Sequence, residues 1–184
     1  MAKVPDFIQQ YLRVHRWYNR VFKRSRNRLI RKARRPINEE ELFLDDLYAF
    51  FVNCYHLKDW VINDAAINIA PEIVESTINS NLFLQLCADI CNSSKHLKLR
   101  RDGRSGQSPK MSEVEITTTV SIAPDARSVD GGALINYLSD FYVETKNGHV
   151  MANEIASECL KAWTVFLAPY LEKNKEHLKD VNYV

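Results

Sequence analysis

No uninterrupted apolar run in this chain approaches the ~20 residues that span a bilayer. The opening, Met1-Ala2-Lys3-Val4-Pro5-Asp6, has neither the apolar stretch nor the small-residue cleavage site of a secretory leader. Secretion and membrane insertion are therefore not expected, and a cytoplasmic location is. Also missing are a Gly-rich phosphate loop of Walker or dinucleotide type, a G-x-S-x-G elbow and an H-E-x-x-H pair, so several common enzyme classes lose support. The four cysteines, Cys54, Cys87, Cys91 and Cys159, include no Cys-x-x-Cys pair, and their one short spacing is Cys87-x3-Cys91. All four fall in apolar helical patterns, where a reduced cysteine behaves as a small buried hydrophobe rather than as part of a disulfide framework. No cofactor is implied.

What the chain does have is the composition of an ordinary globular domain: 184 residues, 46% hydrophobic and 26% charged. A chain of this length buries roughly two thirds of the surface it exposes when unfolded, so a packed core and one domain over residues 1–184 are expected. Its charge is uneven. Residues 1–36 carry twelve Lys or Arg against Asp6 alone, a charge of +11, whereas the other 148 residues hold thirteen basic and twenty-two acidic side chains, a charge of −9. The molecule is electrically two-ended.

Apolar positions Phe7, Tyr11, Val14, Tyr18, Val21 or Phe22, and Leu29 recur at helical steps after a capping Asp6, which predicts a basic helix over 6–35 that stops before Pro36. Asn38 with Glu41 reads as a capping box for a second helix reaching about Asn63. That helix is apolar around most of its circumference, which places it in the middle of a bundle. Pro71 suits the first turn of a short helix, and Ser80 can cap another carrying Leu86, Cys87, Ile90 and Cys91, so core helices fill 38–101. Residues 100–109, rich in Gly, Ser and Pro, mark a loop with room to move.

The period then changes to two. Val114, Ile116, Thr118, Val120 and Ile122 alternate with polar residues, and Asn147-Gly148 supports a type I′ hairpin between 141–143 and 149–151. Asn153 can cap a last helix over 153–172. The expected fold is mainly α (α+β), a bundle of about four long helices with a small antiparallel sheet at 110–151 inserted before the last.

Three constellations carry candidate chemistry. On the second helix His56 and Asp59 stand three residues apart, on one face, where a carboxylate would orient the imidazole and raise its basicity for general-base or metal-binding work. The same spacing also reads as a histidine bonded to its neighbour for packing alone. On the next long helix Asp89, Asn92, His96 and Arg100 share a face and Lys95 adjoins it, a setting for phosphate binding, although cations at a helix end also simply complement its dipole. A metal set could draw on His56, Asp59, His96 and Cys87 or Cys91, but without zinc-type spacing none is assigned. In the basic helix Arg16, Arg20, Lys23, Arg24 and Arg28 alternate with aromatic residues, a pattern that tracks a phosphate backbone or else docks on the chain's own acidic surface.

The strings Tyr55-His56-Leu57-Lys58-Asp59-Trp60 and Asn92-Ser93-Ser94-Lys95-His96-Leu97-Lys98-Leu99 resemble those of bacterial and phage-associated proteins of unassigned function, over roughly residues 40–167. More distantly, a helical core with a polar residue four positions before a histidine is similar to the HEPN domains, many of which are metal-independent ribonucleases of defence systems. Their arginine four to six residues before the histidine has no counterpart here, where Asn92 precedes His96. The resemblance thus implies RNA binding without cleavage, or cleavage in which Lys95 or Arg100 substitutes for the arginine; an enzymatic version would take His56 or His96 as acid-base group, with Asp59 orienting His56. Two other classes remain open: a structural or regulatory module that pairs through the first helix, for example as a homodimer, and a small metal-binding hydrolase.

Overall fold

In the computed structural model, residues 4–23, 39–95, 103–112, 116–121, 134–139 and 141–178 are described. Among the described residues five α-helices, α1 (Asp6–Tyr18), α2 (Glu39–Asn63), α3 (Pro71–Asn79), α4 (Leu82–Lys95) and α5 (Ala152–Lys173), enclose the core, and five short strands lie between α4 and α5. This is the expected mainly helical fold with an antiparallel sheet before the last helix.

Helix α2 is central, as its nearly all-round apolar surface requires, and touches α1, α3, α4 and α5. Leu47, Phe50, Phe51, Cys54, Leu57 and Val61 are fully buried along it. The apolar side of α1 (Phe7, Ile8, Tyr11 and Val14) is used inside the same core. Two hydroxyl pairs, Tyr11 Oη with Thr164 Oγ1 and Tyr18 Oη with Ser157 Oγ, both at 2.8 Å, fasten α1 antiparallel to α5.

Helix ends differ in detail from the sequence reading. Asp6 is the first residue of α1, and the amide it leaves unsatisfied one residue on is met from afar, because Phe7 N donates to Asp64 Oδ2 at 2.8 Å. After Tyr18 the helix widens into a π-turn over Asn19–Lys23, and the rest of the expected 6–35 helix, with the Asn38 box, lies outside the described residues. Ser80 ends α3, and Asn81 caps α4 instead, its Oδ1 accepting from Leu84 N at 3.1 Å. Helix α5 starts at Ala152 and uses no side-chain cap, so Asn153 is already inside it.

Strands β1 (Lys110–Ser112), β4 (Tyr142–Thr145) and β5 (Gly148–Met151) form an antiparallel sheet in the order β1-β4-β5, and β2 (Ile116–Ser121) pairs with β3 (Leu134–Ser139) in a second one. Thr145 opposes Gly148, so the β4–β5 turn residues are Lys146 and Asn147. Gly148 takes φ +119° while Asn147 stays negative, which excludes the expected type I′ turn, where both corners need positive φ. Phe141, stacked 4.9 Å from Phe43 of α2, ties the sheet to the bundle.

The loop expected to move is fastened over its described part. Asp89, 1% exposed in α4, accepts Arg104 N at 2.6 Å, Ser105 N at 2.9 Å and Ser105 Oγ at 2.6 Å. A Cβ on Gly103 would fall 2.5 Å from Asp89 Oδ2, so only glycine allows this approach. A buried carboxylate must be matched by donors, and the loop supplies them.

Candidate functional site

The last two turns of α2 bring Tyr55, His56, Lys58, Asp59 and Trp60 to the surface, because its buried stripe runs through Cys54, Leu57 and Val61. His56 Nδ1 lies 2.9 Å from Asp59 Oδ2, as the spacing of three anticipates. Its other nitrogen, Nε2, lies 2.6 Å from Lys95 Nζ at the end of α4. An ammonium has only donors, so Nε2 carries the lone pair, and Nδ1 holds the proton donated to Asp59. The imidazole is thus oriented at both ends, and with side-chain exposures of 38% for His56 and 45% for Asp59 it stays open to solvent.

The network extends outward from this centre. Lys58 Nζ bonds Asp59 Oδ1 at 2.9 Å and reaches Glu75 Oε1 at 3.4 Å, and Arg104 Nη1 bonds Glu75 Oε2 at 2.6 Å. Lys58 and Arg104 both approach the Tyr55 ring, at 5.3 and 5.8 Å from its centroid. Burial works against the Asp59 carboxylate, yet hydrogen bonds from Lys58 and His56 and the charge of Lys58 together hold its pKa below the ordinary value. Glu75 behaves alike, with Arg104 and Lys58 outweighing its partial burial. Burial alone pushes the Tyr48 hydroxyl up, and it is the leading cause of the rise at Tyr55.

Next to Asp59 the basic face of α1 comes in. The Arg13 guanidinium lies 5.6 Å from the Trp60 ring centroid, and Arg20 lies 5.0 Å from that of Trp17. Arg13, Trp17 and Arg20 follow one another at steps of four and three along one face. Arg20 also pairs with Asp46 at 2.7 Å, whereas Arg16 is exposed with no carboxylate partner among the described residues. A shallow depression of about 350 Å³, lined by Asp6, Asp59, Trp60, Asn63 and Asp64, opens beside this strip.

Of the residues picked from sequence, His56, Asp59 and Lys95 meet, and Asn92 sits half-buried one turn before Lys95 on α4. His96, Arg100, Arg24, Arg28 and the side chain of Lys23 lie outside the described residues. Asp89 turns inward to hold the loop instead of joining the exposed polar face, because its side of α4 packs under residues 103–105. Sequence reasoning missed Arg104 and Glu75, which no periodicity links to His56. It also missed a buried group in which Cys54, Cys87 and Cys159 bring their sulfurs within 4.8 Å of one another. Cys91 stays outside that group, as does His56. Burial drives the Cys87 and Cys159 thiols well up, while hydrogen bonds from those two pull Cys54 down.

No helix among the described residues is long and apolar enough to cross a membrane. No protein-family model, no curated protein and no solved structure matches the chain, so the chemistry of the site rests on its own geometry.

Proposed function

We propose that the chain binds single-stranded nucleic acid, RNA foremost, along the strip that runs from Arg20 and Trp17 through Arg13 and Trp60 to Asp59, His56 and Lys95. The observation that carries this reading is the interleaving of guanidinium groups with two indole rings beside an ammonium-imidazole pair. Cations neutralise phosphates, and half-buried indole faces accept unstacked bases without regard to sequence. Single strands fit better than duplex, since bases must be free to stack.

In a catalytic form of this reading, which draws on the His56 network and not on the HEPN-like motif, a phosphate arriving at Lys95 competes for the ammonium protons that now engage His56 Nε2. The freed lone pair can then take the proton of the ribose 2′-hydroxyl as that oxygen bonds the adjacent phosphorus, the P–O5′ bond breaks and the 5′-oxygen leaves with a proton from solvent, and Asp59 stabilises the imidazolium that forms. His96 is the second acid-base candidate.

Fluorescence anisotropy with a labelled mixed-sequence RNA tests the binding claim. Affinity should fall as salt rises, with log K falling by about 0.7 per log salt for each phosphate contacted. Trp60→Ala should weaken binding by about 1–3 kcal/mol. Absence of binding at low ionic strength ends the proposal. For cleavage, His56→Ala should remove turnover while the far-UV circular dichroism is unchanged.

The competing reading, a protein-interaction module that pairs through the first helix, would use the apolar side of that helix, whose Phe7, Ile8, Tyr11 and Val14 are taken up inside this chain's own core. The large apolar residues exposed among those described, Leu42, Ile73, Leu82 and Val165, stand on four different helices.

A further inference from the structure

Three helices each send one cysteine to a common point in the core: Cys54 from α2, Cys87 from α4 and Cys159 from α5, all fully buried. Their sulfurs lie within 4.8 Å of one another, and all are free thiols. Three sulfurs at about 2.3 Å from a common metal, the usual length of a zinc–thiolate bond, would stand about 4 Å apart. The trio therefore needs to contract by less than about 1 Å to close on an ion. Cys87 Sγ now donates to Phe51 O at 3.4 Å and Cys159 Sγ to Phe83 O at 3.1 Å, which keeps both side chains turned to the place where the helices meet.

A second observation points the same way. Trp163, one turn after Cys159 on α5, is 1% exposed, and its indole N–H completes no hydrogen bond of ordinary geometry among the described residues, although it lies near enough to the Cys54 sulfur to help lower that thiol's pKa. An unmet buried donor costs stability, and the acceptor it lacks is the kind a metal-bound thiolate provides through a charge-assisted bond. Outer donors of this type hold and tune thiolate ligands in metal centres.

We infer that Cys54, Cys87 and Cys159 form a three-sulfur site for a soft monovalent cation of the Cu(I) class, with Trp163 Nε1 donating to a bound sulfur. Structural zinc is the poorer occupant, because it takes four ligands, and the described residues offer no fourth near a trio closed to water. Thiolate ligands favour soft ions, Cu(I) among them, and Cu(I) accepts three ligands where zinc takes four. Binding breaks three S–H bonds and forms three S–Cu bonds, the three protons are released to solvent, and Cu(I) keeps its oxidation state. The inference is independent of nucleic-acid binding, since the trio lies inside the bundle and the strip outside it.

The test is anaerobic transfer of Cu(I) from its bicinchoninate complex to the reduced full chain. One equivalent should move, X-ray absorption should find three sulfur neighbours at one distance, and the melting temperature should rise. Cys54→Ala and Cys159→Ala should lower affinity about 100-fold or more, and Trp163→Phe by about 10-fold. Cys91→Ala, buried on α4 outside the trio, should leave uptake unchanged. Circular dichroism of each variant separates loss of the site from loss of the fold, and the wild-type measurements stand whether or not the variants fold. No transfer to the wild-type chain, equal loss in Cys91→Ala, or tighter four-coordinate binding of Zn(II) would overturn the assignment.

Discussion

Asp89 is the side chain whose role shifted most between pattern and structure. By spacing it belongs to the face of Asn92 and His96, yet it is buried, and the three donors of Arg104 and Ser105 surround it. Asp89→Ala would leave two backbone amides without their acceptor, so a loss of about 3 kcal/mol is expected from urea unfolding. Gly103→Ala should cost about 1–3 kcal/mol, because the new methyl must displace that carboxylate. If both variants unfold like the wild type, the loop is not fastened in this way. His56 is the opposite case, since a three-residue spacing on a helix nearly guarantees its contact with Asp59. The contact with Lys95, thirty-nine residues away in sequence, had no local signal.

Helices were legible because each carries its reason locally. The mostly apolar circumference of α2 called for a central position, Pro71 began α3, and alternation marked β2. Ends were less legible, since a capping group need not be near in sequence: Asp64 serves Phe7 across 57 residues. Asp64→Ala should therefore destabilise α1 by about 0.5–2 kcal/mol, the usual worth of a cap. Hydrogen exchange should show faster opening at residues 7–10 than in the wild type, and unchanged protection there would refute the role. The β4–β5 turn erred by one position, because the Asn-Gly pair also suits a turn in which glycine follows the corner rather than occupying it.

Across the whole molecule, the ion pairs around the site couple stability to acidity. Asp59 and Glu75 have folded pKa values below their ordinary 3.8 and 4.5, so their contribution is present above those values and is lost as the pH falls through the lower folded ones. Both groups are substantially exposed, which limits each to less than about 1 kcal/mol. Stability measured between pH 5 and 2 should fall, and Asp59→Asn with Glu75→Gln should flatten that slope. An unchanged slope would mean that other carboxylates govern it.

Composition, period and charge suffice for the helical class, the place of the sheet, the central α2 and the two-ended charge, because these follow from properties that neighbouring residues share. The meeting of Cys54, Cys87 and Cys159, and the bridge from Lys95 to His56, depend on how helices cross. Crossing is settled by the packing of the entire core, and no short stretch of chain contains it.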